Sequence, residues 1–305
     1  MLYHIWHRPR SFLARCRARG GFYPSWLEHR GEAAMRKAAL HLPIITADPQ
    51  TPLRTIWFLT GQRFWHLTLF CAWSLRRATS SRWRICLIDD GSLQPGRTEL
   101  FHDHFEEVRV IGRTEALSRL EAELPRERYP FLHRQWHTYP NIRKLIDPHL
   151  AHVGWNLVLD SDMLFFRNPG LLLEWLDQPA TPLHAVDHET SYGYPDQTLQ
   201  EWAGCKVPPL VNVGLTGLDG SILDWDWLEA MCRDWITRHG THYYLEQALI
   251  ATLVARAGAR TILPADDYVT LPVLPEAIER RAVLHHYVAS SKKWYFRHSW
   301  QSLLA

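Results

Sequence analysis

The chain has 305 residues and is 46% hydrophobic, which is enough to bury a sizeable core in one large domain or two small ones. Its formal net charge at pH 7 is only +2, so the composition does not favour nucleic acid as a partner. No apolar run reaches the ~18 residues that a transmembrane helix needs, so we expect none.

The cysteines favour a reducing compartment. There are five, an odd number, and they are widely spaced without a CxxC pair: Cys16, Cys71, Cys86, Cys205 and Cys232. This pattern argues against a disulfide framework and against a thiolate metal site. We therefore expect a cytoplasmic protein, either free or peripheral to the inner face of the membrane.

Residues 1–50 are predicted to form a basic, aromatic segment ahead of a domain at 51–305. Up to residue 40, only Glu28 and Glu32 oppose the basic side chains of Arg8, Arg10, Arg15, Arg17, Arg19, Arg30, Arg36 and Lys37. The segment lacks the apolar run of a signal peptide. Two interpretations stay open: it lies on an anionic membrane surface, or it is a solvated arm packed on the domain or on a partner chain.

Strands and helices alternate after a proline-rich break at 46–52. The predicted elements, in chain order, are a strand at 54–61, a helix at 64–78, a strand at 82–92, a short helix at 99–105 and a strand at 107–112. They continue with a helical stretch at 134–150, strands at 156–166, 183–188 and 211–218, helices at 222–240 and 243–258, and closing strands within 260–268 and 282–288. This alternation predicts an α/β fold whose mixed, mostly parallel central sheet is flanked by helices. Ligands of such sheets bind beyond the carboxyl ends of the strands.

The stretch "NLVLDSDMLFF" (156–166) places two carboxylates within an apolar strand. If the strand stays extended through Ser161, Asp160 and Asp162 point the same way. Two close carboxylates repel each other, and a divalent cation with oxygen ligands removes that cost. The alternative is a polar turn in which each aspartate caps the backbone.

A second stretch, "HHYVASSKKWYF" (285–296), adds candidate partners. Histidine is a good third ligand for a cation such as Mn²⁺, and a lysine suits a phosphate as a point charge. Taken singly, His285 or His286 fits a hydrogen-bonded core histidine, and Lys292 and Lys293 fit a solvated surface pair. Together with the aspartates, they indicate a site for a metal-bridged diphosphate.

At residues 54–296 the chain resembles the retaining, metal-dependent glycosyltransferases of family 8, the glycogenin and lipopolysaccharide galactosyltransferase type, which have the GT-A fold. The strand that ends in Asp160-Ser161-Asp162 is similar to the family's D-x-D segment. The resemblance implies that Asp160 and Asp162 hold Mn²⁺ or Mg²⁺ and that Ser161 lies at the donor.

The family's later motif, H-F-x-G-x-x-K-P-W, is similar to "HYVASSKKW" here. His286, Lys292 and Trp294 stay in register, which implies that His286 is the third metal ligand and that Lys292 contacts the diphosphate. The stretch departs from the motif at Ala289 and Lys293, where glycine and proline are usual.

Weaker similarities extend the implied donor site. They place Lys144 at the donor sugar or phosphate, Asn212 near the sugar, and Asp187 at the sugar hydroxyls. They also place Thr60 and Phe64 at the uracil. The structural alternatives are a strand-end turn residue for Asn212 and a core residue for Phe64.

The segment "YYLEQALI" looks like the family's D-Q segment, with Glu246 in place of aspartate beside Gln247. The resemblance implies that both lie near the reacting carbon, with Asp187, as catalytic groups. A further string, "IDDGS" (88–92), also looks like the start of inverting family-2 transferases, which leaves Asp89 or Asp90 as a base contact. We favour a D-G turn at a strand end.

The implied function is hexosyl transfer from a nucleotide sugar, a UDP-sugar, to a glycan, lipid-linked or protein acceptor, with retention at the anomeric carbon. Three alternatives stay open. One is an inverting transferase on the same fold. A second is a haloacid-dehalogenase-like phosphohydrolase with Asp160 as nucleophile and "PADDYV" (264–269) as its later acidic pair. A third is a non-catalytic relative that binds a nucleotide sugar.

Overall fold

The structure is a computed structural model that describes residues 21–304. The predictions made for residues 1–20, among them the arginines from Arg8 to Arg19, lie outside the described residues. The first described element is a helix, α1 (Phe22–Ala38), followed by a 3₁₀ turn at Ala39–His41. The predicted boundary between residues 50 and 51 stays a prediction.

Ten strands and ten further α-helices of at least a turn and a half follow within the described residues. The strands are β1 (Leu53–Thr60), β2 (Arg82–Asp89), β3 (Glu107–Ile111), β4 (Trp155–Leu159), β5 (Met163–Phe165), β6 (Leu183–Val186), β7 (Val211–Asp219), β8 (Thr261–Ile262), β9 (Tyr268–Thr270) and β10 (Leu284–His286). The helices are α2 (Trp65–Thr79), α3 (Pro95–His102), α4 (Arg113–Glu123), α5 (Pro130–Thr138), α6 (Arg143–Ala151), α7 (Gly170–Asp177), α8 (Asp196–Ala203), α9 (Trp225–His239), α10 (Leu245–Ala257) and α11 (Leu274–Glu279). A helical turn at Lys292–Trp294 continues into a π-helix at Tyr295–Ser299.

Seven strands form one sheet in the order β3-β2-β1-β4-β7-β6-β8, and three form a second sheet in the order β5-β10-β9. In the large sheet β1 to β4 run parallel, β7 runs antiparallel to both its neighbours, and β6 and β8 are parallel. This mixed, mostly parallel sheet with helices around it confirms the predicted fold class.

The large sheet is buried on both faces, which explains why its central strands read as nearly continuous apolar runs. Along β1 the side chains alternate between two cores: Ile56 and Phe58 enter the core that contains α2, and Trp57 enters the core that contains α6 and α10. The carboxyl ends of the parallel strands β1, β2 and β4 therefore meet at one edge.

Two predicted elements are broken in the structure. The helical stretch at 134–150 is α5 and α6, because the residue before a proline avoids the helical region and Tyr139 precedes Pro140 at φ −130° and ψ 89°. The predicted strand at 156–166 is β4 and β5, which belong to different sheets. The second break lies at the aspartate pair.

Helix α1 packs on the domain through one side. Met35 and Ala39 enter the core, and a side chain at Gly31 would place its Cβ 2.2 Å from the carbonyl oxygen of Phe296. Arg297 donates a hydrogen bond to the carbonyl of Pro24. The α1 helix is thus fixed against the π-helix. No helix within the described range is long and apolar enough to cross a membrane.

His66 links α1 to α2 and makes stability depend on pH. Its ring is fully buried with Glu32 Oε1 at 3.8 Å, and burial, with the charge of Arg36, lowers its pKa to about 3. Because the unfolded chain takes up a proton near 6.5 and the folded chain does not, stability is complete above pH 6.5 and falls as the pH drops toward 3.

Acidification from pH 6.5 to about pH 5 should lower the free energy of unfolding of His66→Leu by about 2 kcal/mol less than that of the wild type. Urea unfolding at the two pH values measures this difference. His41→Leu is the matched control, since His41 is exposed. Equal acid losses in the wild type and His66→Leu would show that His66 is not the group responsible.

Candidate active site

The aspartate pair lies between the two sheets rather than along one strand. Strand β4 ends at Leu159, and Asp160 N donates a 2.6 Å hydrogen bond to the carbonyl of Gly214. The carbonyl of Asp162 accepts from Tyr287 N at 2.8 Å, just beyond β10. The backbone bends at Ser161 and does not stay extended, yet the two carboxylates still converge. They pair with lysine and histidine side chains and do not cap the backbone as the alternative had it.

Three side chains converge with the spacing of metal ligands. One oxygen from each of Asp160 and Asp162 and one ring nitrogen of His286 all lie within 4.8 Å of one another. His286 Nε2 is 3.3 Å from Asp162 Oδ1 and 3.7 Å from Asp160 Oδ2. Mixed imidazole and carboxylate ligands suit a borderline divalent cation.

The burial of His286 supports the fit to a cation. The residue is 3% exposed, and neither ring nitrogen has a hydrogen-bond partner among the described residues, which is unusual for buried polar atoms. Its neighbour His285 is hydrogen-bonded to Tyr287 Oη at 3.1 Å, as a core histidine would be. Gly214 makes room for the ring, because a Cβ there would lie 2.3 Å from His286 Cε1.

Two lysines offset part of the negative charge. Lys292 Nζ lies 3.0 Å from Asp162 Oδ2, and Lys144 Nζ lies 2.8 Å from Asp160 Oδ1. Although burial acts in the opposite direction, Lys292 and His286 hold the pKa of the Asp162 carboxyl well below its usual range. Lys292 thus helps to keep Asp162 ionised and available as a ligand.

Glu246 adds a third, deeper carboxylate. Its Oε1 lies 3.5 Å from Lys144 Nζ, and the residue is almost fully buried. Burial raises the pKa of Glu246 to about 7, against the opposing effect of Lys144. Burial disfavours the charge of Lys144 as well, but Asp160 and Glu246 raise its pKa overall. Lys144 therefore bridges the aspartate pair and Glu246.

Two adjoining cavities open on this cluster, one of about 610 Å³ and one of about 330 Å³. They share a wall made of Asn141, Lys144, Asp160 and Tyr243. The larger is also lined by Thr60, Phe64, Ser161, Asp162 and Lys292. The smaller is also lined by Asp187, Asn212, Glu246, Gln247 and His286. The structure thus brings all the site residues predicted from the sequence to one pair of cavities.

Hydroxyl groups tie the larger cavity to the aspartate turn. Thr68 Oγ1 lies 2.7 Å from Thr60 Oγ1 and 2.8 Å from Ser161 Oγ. Phe64, at the start of α2, is partly exposed at this cavity, with the guanidinium of Arg63 over its ring at 5.2 Å. An aromatic face beside polar strand ends can hold a flat, polar ring.

Amide and carboxylate groups line the smaller cavity. Gln247 Nε2 donates to Asp187 Oδ2 at 2.9 Å and to the carbonyl of Val211 at 3.1 Å. Asn212 Oδ1 accepts from Gly214 N at 2.9 Å. These contacts fix the orientation of the groups that face the cavity, which suits the recognition of hydroxyl groups.

The structure adds lining residues that the sequence did not single out, notably Tyr139, Asn141, Tyr243 and His188. Tyr243 is 71% exposed at the boundary of the two cavities, and its carbonyl accepts a 2.5 Å hydrogen bond from Tyr139 Oη. No sequence pattern marks this position. Tyr243 lies on the loop before α10, which is hydrogen-bonded to Tyr139 at the end of α5.

The two aspartates of the "IDDGS" turn differ in their surroundings. Asp89 Oδ1 accepts from the backbone of Gly91, Ser92 and Leu93, as expected for a strand-end turn. Asp90 Oδ1 also accepts from Ser92 N, at 2.9 Å, and Asp90 in addition lines the larger cavity. The predicted turn is present, and Asp90 is the aspartate in a position to contact a ligand.

Ala289 has a backbone conformation that favours glycine. Its φ is +44°, in the left-handed region, and it lines the smaller cavity. This is the position at which "HYVASSKKW" carries alanine in place of the usual glycine. The chain keeps the turn that glycine would allow and carries the strain of a side chain there.

Neither a protein-family model nor a curated protein sequence matches the chain. Solved structures do match. An active-site mutant of LgtC aligns with a TM-score of 0.50 and 13% identity, over 77% of this chain and 87% of that one. The galactosyltransferase LgtC with donor and acceptor sugar analogues gives 0.49 and 12% over the same shares. The apo form of mouse xyloside xylosyltransferase 1 gives 0.49 and 11%, over 77% of this chain and 97% of that one.

The chain has the GT-A fold. At these identities the likeness speaks for the fold alone.

The left-handed backbone at residue 289 predicts that Ala289→Gly stabilises the protein. We expect the free energy of unfolding to rise by about 0.5 kcal/mol, because relief of the strain exceeds the added entropy of the unfolded chain. Ala33→Gly, on the exposed side of α1, is the matched control and should lower it by about 1 kcal/mol. A loss of stability in Ala289→Gly, measured by urea unfolding, would contradict the strained turn.

Proposed function

We propose that the protein is a metal-dependent hexosyltransferase of the family 8 type, which moves a sugar from a UDP-sugar to a glycan, lipid-linked or protein acceptor with retention. One observation carries the proposal. Asp160, Asp162 and His286 converge beside two lysines where two cavities meet, at the carboxyl ends of the strands. A nucleotide sugar has the matching shape, with a diphosphate between a nucleoside and a hexose.

The two cavities suit the two ends of the donor. The larger, with Thr60, Phe64 and Asp90, has the aromatic face and polar edge that a uridine needs. The smaller, with Asp187 and Asn212, offers fixed partners for sugar hydroxyls. The diphosphate would then lie at the shared wall, next to the aspartate pair.

The charged groups divide the work at the diphosphate. A divalent cation, Mn²⁺ or Mg²⁺, held by Asp160, Asp162 and His286 would supply positive charge against the leaving diphosphate. Lys292 is partly exposed and can turn from Asp162 to a phosphate oxygen. Lys144 is buried between Asp160 and Glu246 and lines both cavities, so it would orient Asp160 as well as contact the donor sugar or phosphate.

Gln247 and Glu246 would lie near the reacting carbon as stabilising groups. Gln247 is held by Asp187, and Glu246 is held by Lys144, so neither is placed as a free nucleophile. We propose that the acceptor hydroxyl attacks from the face of the leaving group, with a phosphate oxygen as base. The new glycosidic bond then keeps the configuration of the broken one.

The phosphohydrolase alternative gains no support from the geometry. Its nucleophile would be Asp160, which is paired with Lys144, and its later acidic pair would be Asp266 and Asp267. Neither of these two residues lines the candidate cavities.

We also propose a cytoplasmic location, since Cys71, Cys86, Cys205 and Cys232 are free thiols in the described chain.

The first test is release of UDP from a panel of UDP-, GDP- and ADP-sugars, with Mn²⁺ and after chelation. We expect one UDP-sugar to be hydrolysed only with metal, and Asp162→Asn to lower the rate at least about a hundredfold. Asp266→Asn, at an exposed carboxylate, is the matched control and should keep the rate. If no donor is hydrolysed and calorimetry detects no metal-dependent UDP binding, the proposal fails.

A second test separates two adjacent lysines. Lys292→Ala should weaken UDP binding by about tenfold and leave uridine binding unchanged, because it removes a charge-assisted contact to the diphosphate. Lys293→Ala should change neither affinity, since the Lys293 ammonium lies over the Trp294 ring at 4.5 Å. Equal losses in the two variants, measured by calorimetry with Mn²⁺ present, would contradict the role given to Lys292.

A further inference from the structure

One face of α1 carries exposed aromatic and basic side chains. Tyr23, Trp26, Arg30 and Lys37 are spaced by three, four and seven residues, which places them along one stripe of the helix. Tyr23 is 68% exposed and Trp26 is 52% exposed. Their rings stack at 6.1 Å, and the guanidinium of Arg30 lies over Trp26 at 5.3 Å. These four residues are the α1 stripe.

The α1 stripe contains no carboxylate. Of the two glutamates in the helix, Glu28 is buried, and Glu32 turns toward the domain, where it lies 3.2 Å from Arg36 and 3.8 Å from His66. The basic side chains of the stripe therefore present their charge outward without an acidic neighbour from the same helix.

The core does not account for these side chains. The opposite side of α1 is the one that packs, through Met35, Ala39 and the close contact of Gly31 with Phe296. That packing and the hydrogen bond from Arg297 hold the helix in place, so the α1 stripe is presented on a fixed element. Folding alone gives no reason for two large aromatic rings on the outward face.

The chemistry of the stripe points to one class of partner. Tyrosine and tryptophan favour the interface between lipid headgroups and acyl chains, and arginine and lysine are attracted to anionic headgroups. The sequence that leads into the helix adds to the charge, since residues 1–20 contain five arginines and no aspartate or glutamate. A neutral or cationic surface would not match this charge.

We propose that the α1 stripe docks the protein on an anionic lipid bilayer. The α1 helix packs against the π-helix at Tyr295–Ser299, which directly follows the helical turn that contains Lys292. Docking therefore holds the phosphate-binding end of the candidate site at a fixed position relative to the lipid surface. The proposal does not depend on transferase activity.

The test is flotation of the full chain with vesicles of phosphatidylcholine alone or mixed with phosphatidylglycerol. The wild type should float with the mixed vesicles only, and less so as salt is added. The double charge reversal Arg30→Glu, Lys37→Glu should lower the partition coefficient at least about tenfold. Tyr23→Ala, Trp26→Ala should lower it as well, without a change in net charge.

The matched control is Lys206→Glu, Arg233→Glu, which makes the same charge change at an exposed lysine and arginine elsewhere and should float like the wild type. Thermal melting followed by circular dichroism checks that every variant is folded. The proposal is overturned if the wild type does not bind the mixed vesicles, which is the result expected if the stripe instead binds a partner protein. It is also overturned if both stripe variants bind the mixed vesicles as well as the wild type does. The UDP-binding assay is run separately, so the two proposals fail independently.

Discussion

The repulsion among three carboxylates is the constraint on which the site depends. Asp160, Asp162 and Glu246 lie close together in a partly or fully buried region, where charges repel strongly. Lys144 and Lys292 neutralise only part of this charge. The fold tolerates the arrangement because each lysine is placed within 3.0 Å of an aspartate oxygen, and because burial raises the pKa of Glu246 to about 7, which lowers its average charge near neutral pH. The strand ends fix the backbone positions of these groups, so the charged side chains stay close together despite their rotational freedom.

Much of the fold was readable because the long central strands are apolar runs that alternate along the chain with helical stretches. The paired strands β1 and β2 and the helix between them were predicted to within a few residues. Two strands of the small sheet lie within predicted strands, β5 within 156–166 and β10 within 282–288. The separate sheet was not predicted, because β5, β9 and β10 have three residues each and show no periodicity. The stretch 156–166 was predicted as one continuous strand because both of its halves are apolar. Only the assembled sheets reveal that Asp160 to Asp162 cross from one sheet to the other.

The candidate site was predicted from motifs and not from periodicity. Spacing brought Asp160 and Asp162 into one hypothesis, and ligand chemistry joined them to a histidine more than a hundred residues away, but only the resemblance chose His286 over His285. Tyr243 and Asp90 show the limit of that route. Tyr243 lies at the shared wall on the loop before α10, and Asp90 lines the larger cavity although, like Asp89, it accepts a backbone hydrogen bond of the turn. Neither fact follows from residue type.

The position of Asp160, Asp162 and His286 between the two sheets, here called the seam, has a thermodynamic consequence. Asp160 follows a strand of the large sheet, whereas Asp162 directly precedes β5 and His286 ends β10, both of the small sheet. A cation held by all three would cross-link the sheets. The small sheet, built from three-residue strands, is a natural unit for local opening, and any ligand that binds only the closed arrangement suppresses that opening by mass action. Closure of the small sheet and binding of the cation at the seam are then thermodynamically coupled. The concentration of the cation would therefore set how often the small sheet opens.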